Sequence, residues 1–159
     1  MKGMTRRSLI AAVAVAILAV GGFSLVRGTS SAKEVVVYKT PTCGCCGKWV
    51  EHLEGAGYKV VVHDVNDLTG IKNMHGVPPG LRTCHTGLID GYVVEGHVPA
   101  EFVTRLLDEK PDIRGIGVPG MPIGSPGMEG PYRESYDVVA YSKTGQTTVF
   151  GHVEGDEGR

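Results

Sequence analysis

Three cysteines fall within four positions, Cys43-Gly44-Cys45-Cys46, and their flanks leave the chain few ways to fold. Ahead of them, residues 35–38 read Val-Val-Val-Tyr, the continuous β-rich run of a buried strand, which Thr40-Pro41-Thr42 interrupts. Behind them, Trp49, Val50, Leu53 and Ala56 recur at helical spacing over residues 48–57, and Gly55 or Gly57 ends the segment. Residues 59–65 are a second β-rich run. Strand, cysteine turn, helix and strand within about thirty residues make a βαβ unit, and its crossover predicts parallel pairing.

Further along, Asn66-Asp67 offers a cap for a short helix through Met74, and Val77-Pro78-Pro79-Gly80 is a strong break. Residues 81–89 and 92–98 read as two strands joined by Asp90-Gly91, a hairpin signal. Pro99-Ala100-Glu101 opens a helix with Phe102, Val103, Leu106 and Leu107 on one face, and Pro111 ends it. The order β-α-β-(α)-β-β-α, with cysteines between the first strand and first helix, predicts an α/β fold of the thioredoxin-like kind. Its mixed sheet is built from the βαβ unit and a ββα unit. Pro78 or Pro79 stands where that fold often carries a cis-proline facing the cysteines. Residues 115–131 are so dense in Gly and Pro that no helix or sheet ladder is expected there, only a long functional or disordered loop. Residues 136–141 and 147–150 form a closing hairpin, and from His152 the chain reads as a flexible tail, residues 152–159. With 24 glycines and few aromatics, the core must be small and made mostly of Val, Ile and Leu.

Residues 1–32 stand apart from the domain at 33–151. Lys2, Arg6 and Arg7 precede an uncharged apolar stretch at 9–26, and Ser30-Ser31-Ala32 puts small residues ahead of Lys33. That is the layout of a secretory signal, with an uncleaved N-terminal anchor as the alternative. Contact with a membrane arises only in the second case. Arg6-Arg7 gives the segment a weak twin-arginine flavour. The segment holds four of the 16 basic residues and none of the 17 acidic ones, so the remaining chain carries a net charge of −5. A mildly acidic domain has no footprint for nucleic acid.

The cysteines carry the chemistry. Cys43 and Cys46 have Cys-x-x-Cys spacing at the start of a helix, where free N–H groups and the helix dipole favour thiolate over thiol. This suits disulfide exchange and soft-metal binding equally. Exchange needs only two cysteines, one to attack and one to resolve. Cys45 and Cys84 would then be surplus, whereas Cu(I) is satisfied by two or three thiolates, and bridging thiolates hold several ions together. Two structural disulfides would be awkward with Cys45 and Cys46 adjacent. A tetrahedral zinc site would be cramped for the same reason.

Taken together, several motifs resemble the CopG-type periplasmic copper-resistance family. They are Tyr38-Lys39-Thr40-Pro41-Thr42-Cys43-Gly44-Cys45-Cys46, Gly76-Val77-Pro78, Cys84-His85-Thr86, residues 91–99, Pro119-Gly120-Met121-Pro122 and Gly124-Ser125-Pro126-Gly127-Met128-Glu129. The resemblance covers residues 34–150. It implies a thioredoxin-like fold, copper held by Cys43, Cys45, Cys46 and Cys84, and interconversion of Cu(I) and Cu(II). On that reading Cys43 and Cys46 give up electrons as they form a disulfide, and the partners are copper ions and other periplasmic copper-handling proteins. A non-catalytic Cu(I) buffer or chaperone and a thiol–disulfide oxidoreductase are the rival functions.

Other soft or nitrogen donors lie nearby in sequence. Met121 and Met128 bring thioethers on the Gly/Pro loop, which can fold over the cluster, and His97 ends the fourth predicted strand within reach of it. His85 follows Cys84 directly. Neighbours on a strand point to opposite faces, so His85 is expected to turn away if Cys84 faces the cluster. Met74 and His75 lie at the rim or on the surface. Trp49 sits one helical turn beyond Cys46 and packs in the core. His52 and His63 have no ligand-like company.

Overall fold

The computed structural model describes residues 32–156. The expected export segment, except for Ala32, lies outside the described residues, as do the last three residues of the expected tail. Among the described residues no helix is long and apolar enough to cross a membrane.

Seven strands form one sheet in the order β2-β1-β3-β4-β5-β6-β7. β1 (Glu34–Lys39) and β2 (Lys59–Asp64) pair in parallel around α1 (Gly44–Gly55), as the βαβ pattern predicts. β3 (His85–Ile89) returns antiparallel to β1 and turns into β4 (Tyr92–Glu95). At that hairpin Asp90 and Gly91 have φ of 50° and 85°, the two left-handed residues that a tight two-residue turn requires. The mixed α/β fold is thus the thioredoxin-like one expected, carried on by β6 (Tyr136–Tyr141) and β7 (Thr147–Val153), an antiparallel hairpin.

Both faces of the sheet are covered. On one side α1 and α3 (Ala100–Glu109) pack against Val35, Val37, Val94, Ile116, Val138 and Ala140. α1 does so with Cys46, Trp49, Val50 and Leu53 in a stripe at i, i+3, i+4 and i+7.

 The other face carries α2 (Thr69–Met74) and a single 3-10 turn, Pro79–Leu81, over a smaller cluster of Val77, Leu81, Val93 and Tyr141. In α1 the side chain of Leu53 is fully buried.

Four local features differ from the sequence expectation. Residues 115–117, read as part of a loop, form β5 (Gly115–Gly117), an internal strand parallel to β4 and antiparallel to β6. Its glycines permit the approach: a Cβ on Gly115 would run into the backbone of Val93, while Ile116 alone supplies the buried side chain. The strand expected over residues 81–89 begins only at His85, because the 3-10 turn and the bend after it occupy 79–84. β4 stops at Glu95, ahead of Gly96, whose φ is 74°. β7 runs through Val153, so His152, expected in the tail, lies in the strand and binds Asp137 at 2.7 Å. Among the described residues every peptide bond is trans, Pro78 and Pro79 included.

This topology gathers the chemistry at one end of the sheet. β1, β4 and β5 all run toward that end and β3 starts from it. The segments leaving β1, β4 and β5 carry the cysteine turn, His97 and the Gly/Pro loop, and the segment entering β3 carries Cys84.

Candidate metal centre

Cys43 is the N-cap residue of α1, with extended backbone and no side-chain cap. The helix therefore starts at Gly44, earlier than its apolar periodicity suggests, and Cys45 and Cys46 lie in its first turn. Cys46 belongs to the buried stripe, and Cys45 is half-buried beside it. The Cys43 and Cys46 sulfurs are joined in a disulfide, and Cys45 and Cys84 are free thiols. Cys43 Sγ lies 3.6 Å from Cys45 Sγ, and Cys46 Sγ lies 3.8 Å from the Cys84 carbonyl oxygen. All four sulfurs sit within 4.8 Å of one another. The structure thus brings together the four cysteines singled out in the sequence.

It adds two imidazoles. His97 Nε2 and His85 Nδ1 each lie 3.5 Å from Cys84 Sγ, and these three donor atoms also fall within 4.8 Å of one another. His85 does not turn away as strand alternation predicts. Cys84 precedes β3, so the alternation rule does not relate the two side chains. The His85 ring is held between Trp49, 4.3 Å away between centroids, and His97, 5.0 Å away. Trp49 is anchored in turn by its indole N–H, which donates to the Val98 carbonyl at 2.8 Å. The signal available in the sequence was the Cys84-His85 pair itself, at the end of a break rather than inside a strand.

Burial sets the protonation of these groups. It pushes the Cys84 thiol up to about 11, with the nearby Cys45 adding to the effect, so without a cation Cys84 holds its proton. Burial drives His85 down to about 3, helped by His97 and by the Lys72 ammonium, and it also lowers His97. Both imidazoles are therefore neutral, the form that ligates metals.

The Gly/Pro loop folds over the cluster, as expected. Gly127, with φ of 87°, is the point of closest approach: a Cβ there would stand 2.5 Å from the Cys45 carbonyl oxygen and 3.1 Å from the Trp49 nitrogen. Internal turns shape the loop, with Met128 N–H donating to Ser125 O and Gly124 N–H to Met128 O, both at 2.8 Å. Glu129 ties it down by accepting from Gly127 N–H at 2.7 Å and lying 3.6 Å from Lys48. Met128 is half-buried in this loop, and Met121 is 53% exposed. His75 and Met74 lie apart from the centre, where the His75 carbonyl accepts from Arg114 at 3.0 Å and Met74 is exposed. His52 accepts the Ala100 N–H at 3.0 Å and so caps α3, while His63 stacks on Tyr38.

Behind Cys84 lies a cluster that the sequence reading missed. Lys72 of α2 and Glu95 of β4 form a buried ion pair. Lys72 also donates to Thr86 Oγ1 at 2.9 Å, and Glu95 accepts from Thr83 N–H at 2.6 Å and from Thr86 Oγ1 at 2.8 Å. This network fixes the segment that delivers Cys84. Glu95 closing the apolar run Tyr92-Val93-Val94 was the clue, since a charge inside such a strand demands a counter-charge.

Two solved structures, of "Copper resistance protein copG" in Form 2 and Form 1, are similar to this chain. Each is 44% identical with a TM-score of 0.74, and the alignments cover 77% and 78% of this chain and 99% of the other. The chain belongs to the CopG copper-resistance family. Residues 81–128 also match the family described as "Protein of unknown function, DUF411". In this CopG relative that span runs from the 3-10 turn through Cys84, His85 and His97 to Met128. No curated protein matches the chain.

Proposed function

We propose that this CopG relative is a periplasmic copper protein that holds Cu(I) through Cys43, Cys45, Cys46 and Cys84 and interconverts Cu(I) and Cu(II). The observation that carries the reading is the convergence of four sulfurs within 4.8 Å in a member of a copper-resistance family. The disulfide between Cys43 and Cys46 supports the redox half, because it is the oxidised side of the reaction. Two thiols give two electrons to two Cu(II) ions, the sulfur–sulfur bond forms, and two protons and two Cu(I) ions result. The reverse consumes the disulfide and two protons and returns Cu(II). His97 extends the ligand set, and Met121 and Met128 offer thioethers from the loop above Cys45. Residues 1–32 serve export on this reading, and other periplasmic copper-handling proteins exchange the ion.

The same disulfide at a helix N-terminus also favours a second reading, thiol–disulfide exchange. Cys45→Ser and Cys84→Ser separate the two. Copper handling predicts that each variant loses Cu(I) affinity in a competition titration while disulfide exchange through Cys43 and Cys46 is not its main activity. Variants that keep wild-type Cu(I) affinity and exchange disulfides at the wild-type rate would overturn the copper reading. A pure buffer binds Cu(I) stoichiometrically and shows no turnover with an external reductant or oxidant.

A further inference from the structure

We propose that the cavity between the C-terminal end of α2 and the segment entering β5 binds a small oxyanion, a carboxylate or a phosphate, through Arg114, Lys143 and His75. It lies at the end of the sheet opposite the cysteines, because β5 runs from Arg114 toward them. The inference does not rest on the copper reading.

The cavity has a volume of about 230 Å³ and is lined by Asn73, Met74, His75, Gly76, Arg114 and Lys143. Sites that enclose a drug-sized ligand run to about 300–1,000 Å³, so the occupant here is small. Two of the lining residues are permanent cations and none is acidic, although the chain after residue 32 carries a net charge of −5. A third cation, Arg82, stands behind Asn73 and donates to its Oδ1 at 2.6 Å.

Arg114 is the centre of the site. It is half-buried, its Nε donates to the His75 carbonyl at 3.0 Å, and its Nη2 lies 3.4 Å from His75 Nδ1. Both of these acceptors are uncharged. Among the described residues no carboxylate pairs with Arg114. A guanidinium carries five N–H groups, so three remain after these two bonds. A charge drawn partly out of water without a counter-charge is costly, and an oxyanion supplies both the charge and the acceptors. Lys143 adds an ammonium. Its own partner, Asp112 at 2.8 Å, is a weak one because both side chains are mostly exposed, and the lysine can turn to the cavity instead.

His75 decides against a metal. A guanidinium only donates, so His75 Nδ1 accepts from Arg114 and the proton of the neutral ring sits on Nε2. Burial and the Arg114 charge both hold its pKa below the ordinary histidine value, which keeps the ring neutral at pH 7. Met74-His75 has the composition of a copper station, but His75 has no spare lone pair and the neighbouring cations repel a metal ion. It brings an N–H donor to the cavity wall instead.

The test is an NMR titration of the copper-free full chain at neutral pH and constant ionic strength, with sodium phosphate, sodium acetate and a sodium chloride reference. The Arg114 Nε–H and His75 ring resonances should shift and saturate with phosphate or acetate but not with chloride. The anion that saturates at the lower concentration names the class. Arg114→Gln should weaken that binding about tenfold or more. Because this change also releases the His75 carbonyl, Lys143→Gln, on an exposed side chain, serves as the second variant and should weaken binding about two- to fivefold. Shifts that chloride reproduces, shifts that grow without saturating, or saturable binding that Lys143→Gln leaves unchanged would each overturn the site.

Discussion

Lys72 and Glu95 are buried, as His85 and His97 are, yet the two pairs are satisfied in opposite ways. Around Glu95, acceptors meet donors: Lys72, the Thr83 N–H and the Thr86 hydroxyl all point at its carboxylate. Around Cys84, a ring nitrogen of His85 and one of His97 each lie 3.5 Å from its sulfur, and the other cysteine sulfurs stand close by. A polar cluster closed by its own hydrogen bonds holds a fold together. One left with lone pairs converging on a common point is arranged for a cation. The first cluster supports the second, because Thr83 and Thr86 bracket the Cys84-His85 step.

The largest expected effect breaks the closed cluster. Lys72→Met leaves the Glu95 carboxylate buried without its counter-charge and should cost about 3–5 kcal/mol in chemical denaturation. Lys72→Met with Glu95→Leu should recover most of that loss, and a double variant as unstable as the single one would contradict the comparison. Next comes the open cluster. Cys84→Ser should weaken Cu(I) binding by about 100-fold or more while global stability changes by less than about 1 kcal/mol. A variant that unfolds but still binds copper would invert the two roles.

Gly127→Ala tests the cover over the cluster. The residue has φ of 87° and an added Cβ would stand 2.5 Å from the Cys45 carbonyl oxygen, so the change should cost about 1–3 kcal/mol in thermal unfolding. It should also make Cys45 react faster with an alkylating reagent. The smallest effect lies away from both clusters. His52→Phe removes the acceptor for the Ala100 N–H and should cost about 1 kcal/mol at neutral pH. Burial lowers the folded pKa of His52 below its ordinary 6.5. Its contribution is therefore complete above 6.5 and is lost as pH falls through that value toward the lower folded one. The stability gap between wild type and His52→Phe should narrow over that range, and a gap that widens on acidification would refute the cap.

The half of the centre on α1 was legible because its signals are local. Three cysteines at a strand-to-helix turn fix their own neighbourhood, and the Trp49, Val50 and Leu53 spacing fixes the buried face. The other half depends on where distant segments stop. His85 was misjudged because where the strand starts, at 85 rather than at 81, decides whether alternation applies to Cys84. β5 was hidden because Gly-Ile-Gly offers a single apolar side chain, and only the backbone of β4 shows why the glycines are needed there. Lys72 reads as a solvated charge on a short helix until Glu95 is placed opposite Thr86 in the β3–β4 register.

The central claim, that these sulfurs trade electrons with copper, is tested most directly by mixing Cu(II) with fully reduced protein without oxygen and measuring free thiols and copper oxidation state together. The account predicts two thiols lost, and two Cu(II) reduced to bound Cu(I), for each disulfide formed, with Cys43 and Cys46 as the pair. Copper remaining as Cu(II) beside an undiminished thiol count would contradict it.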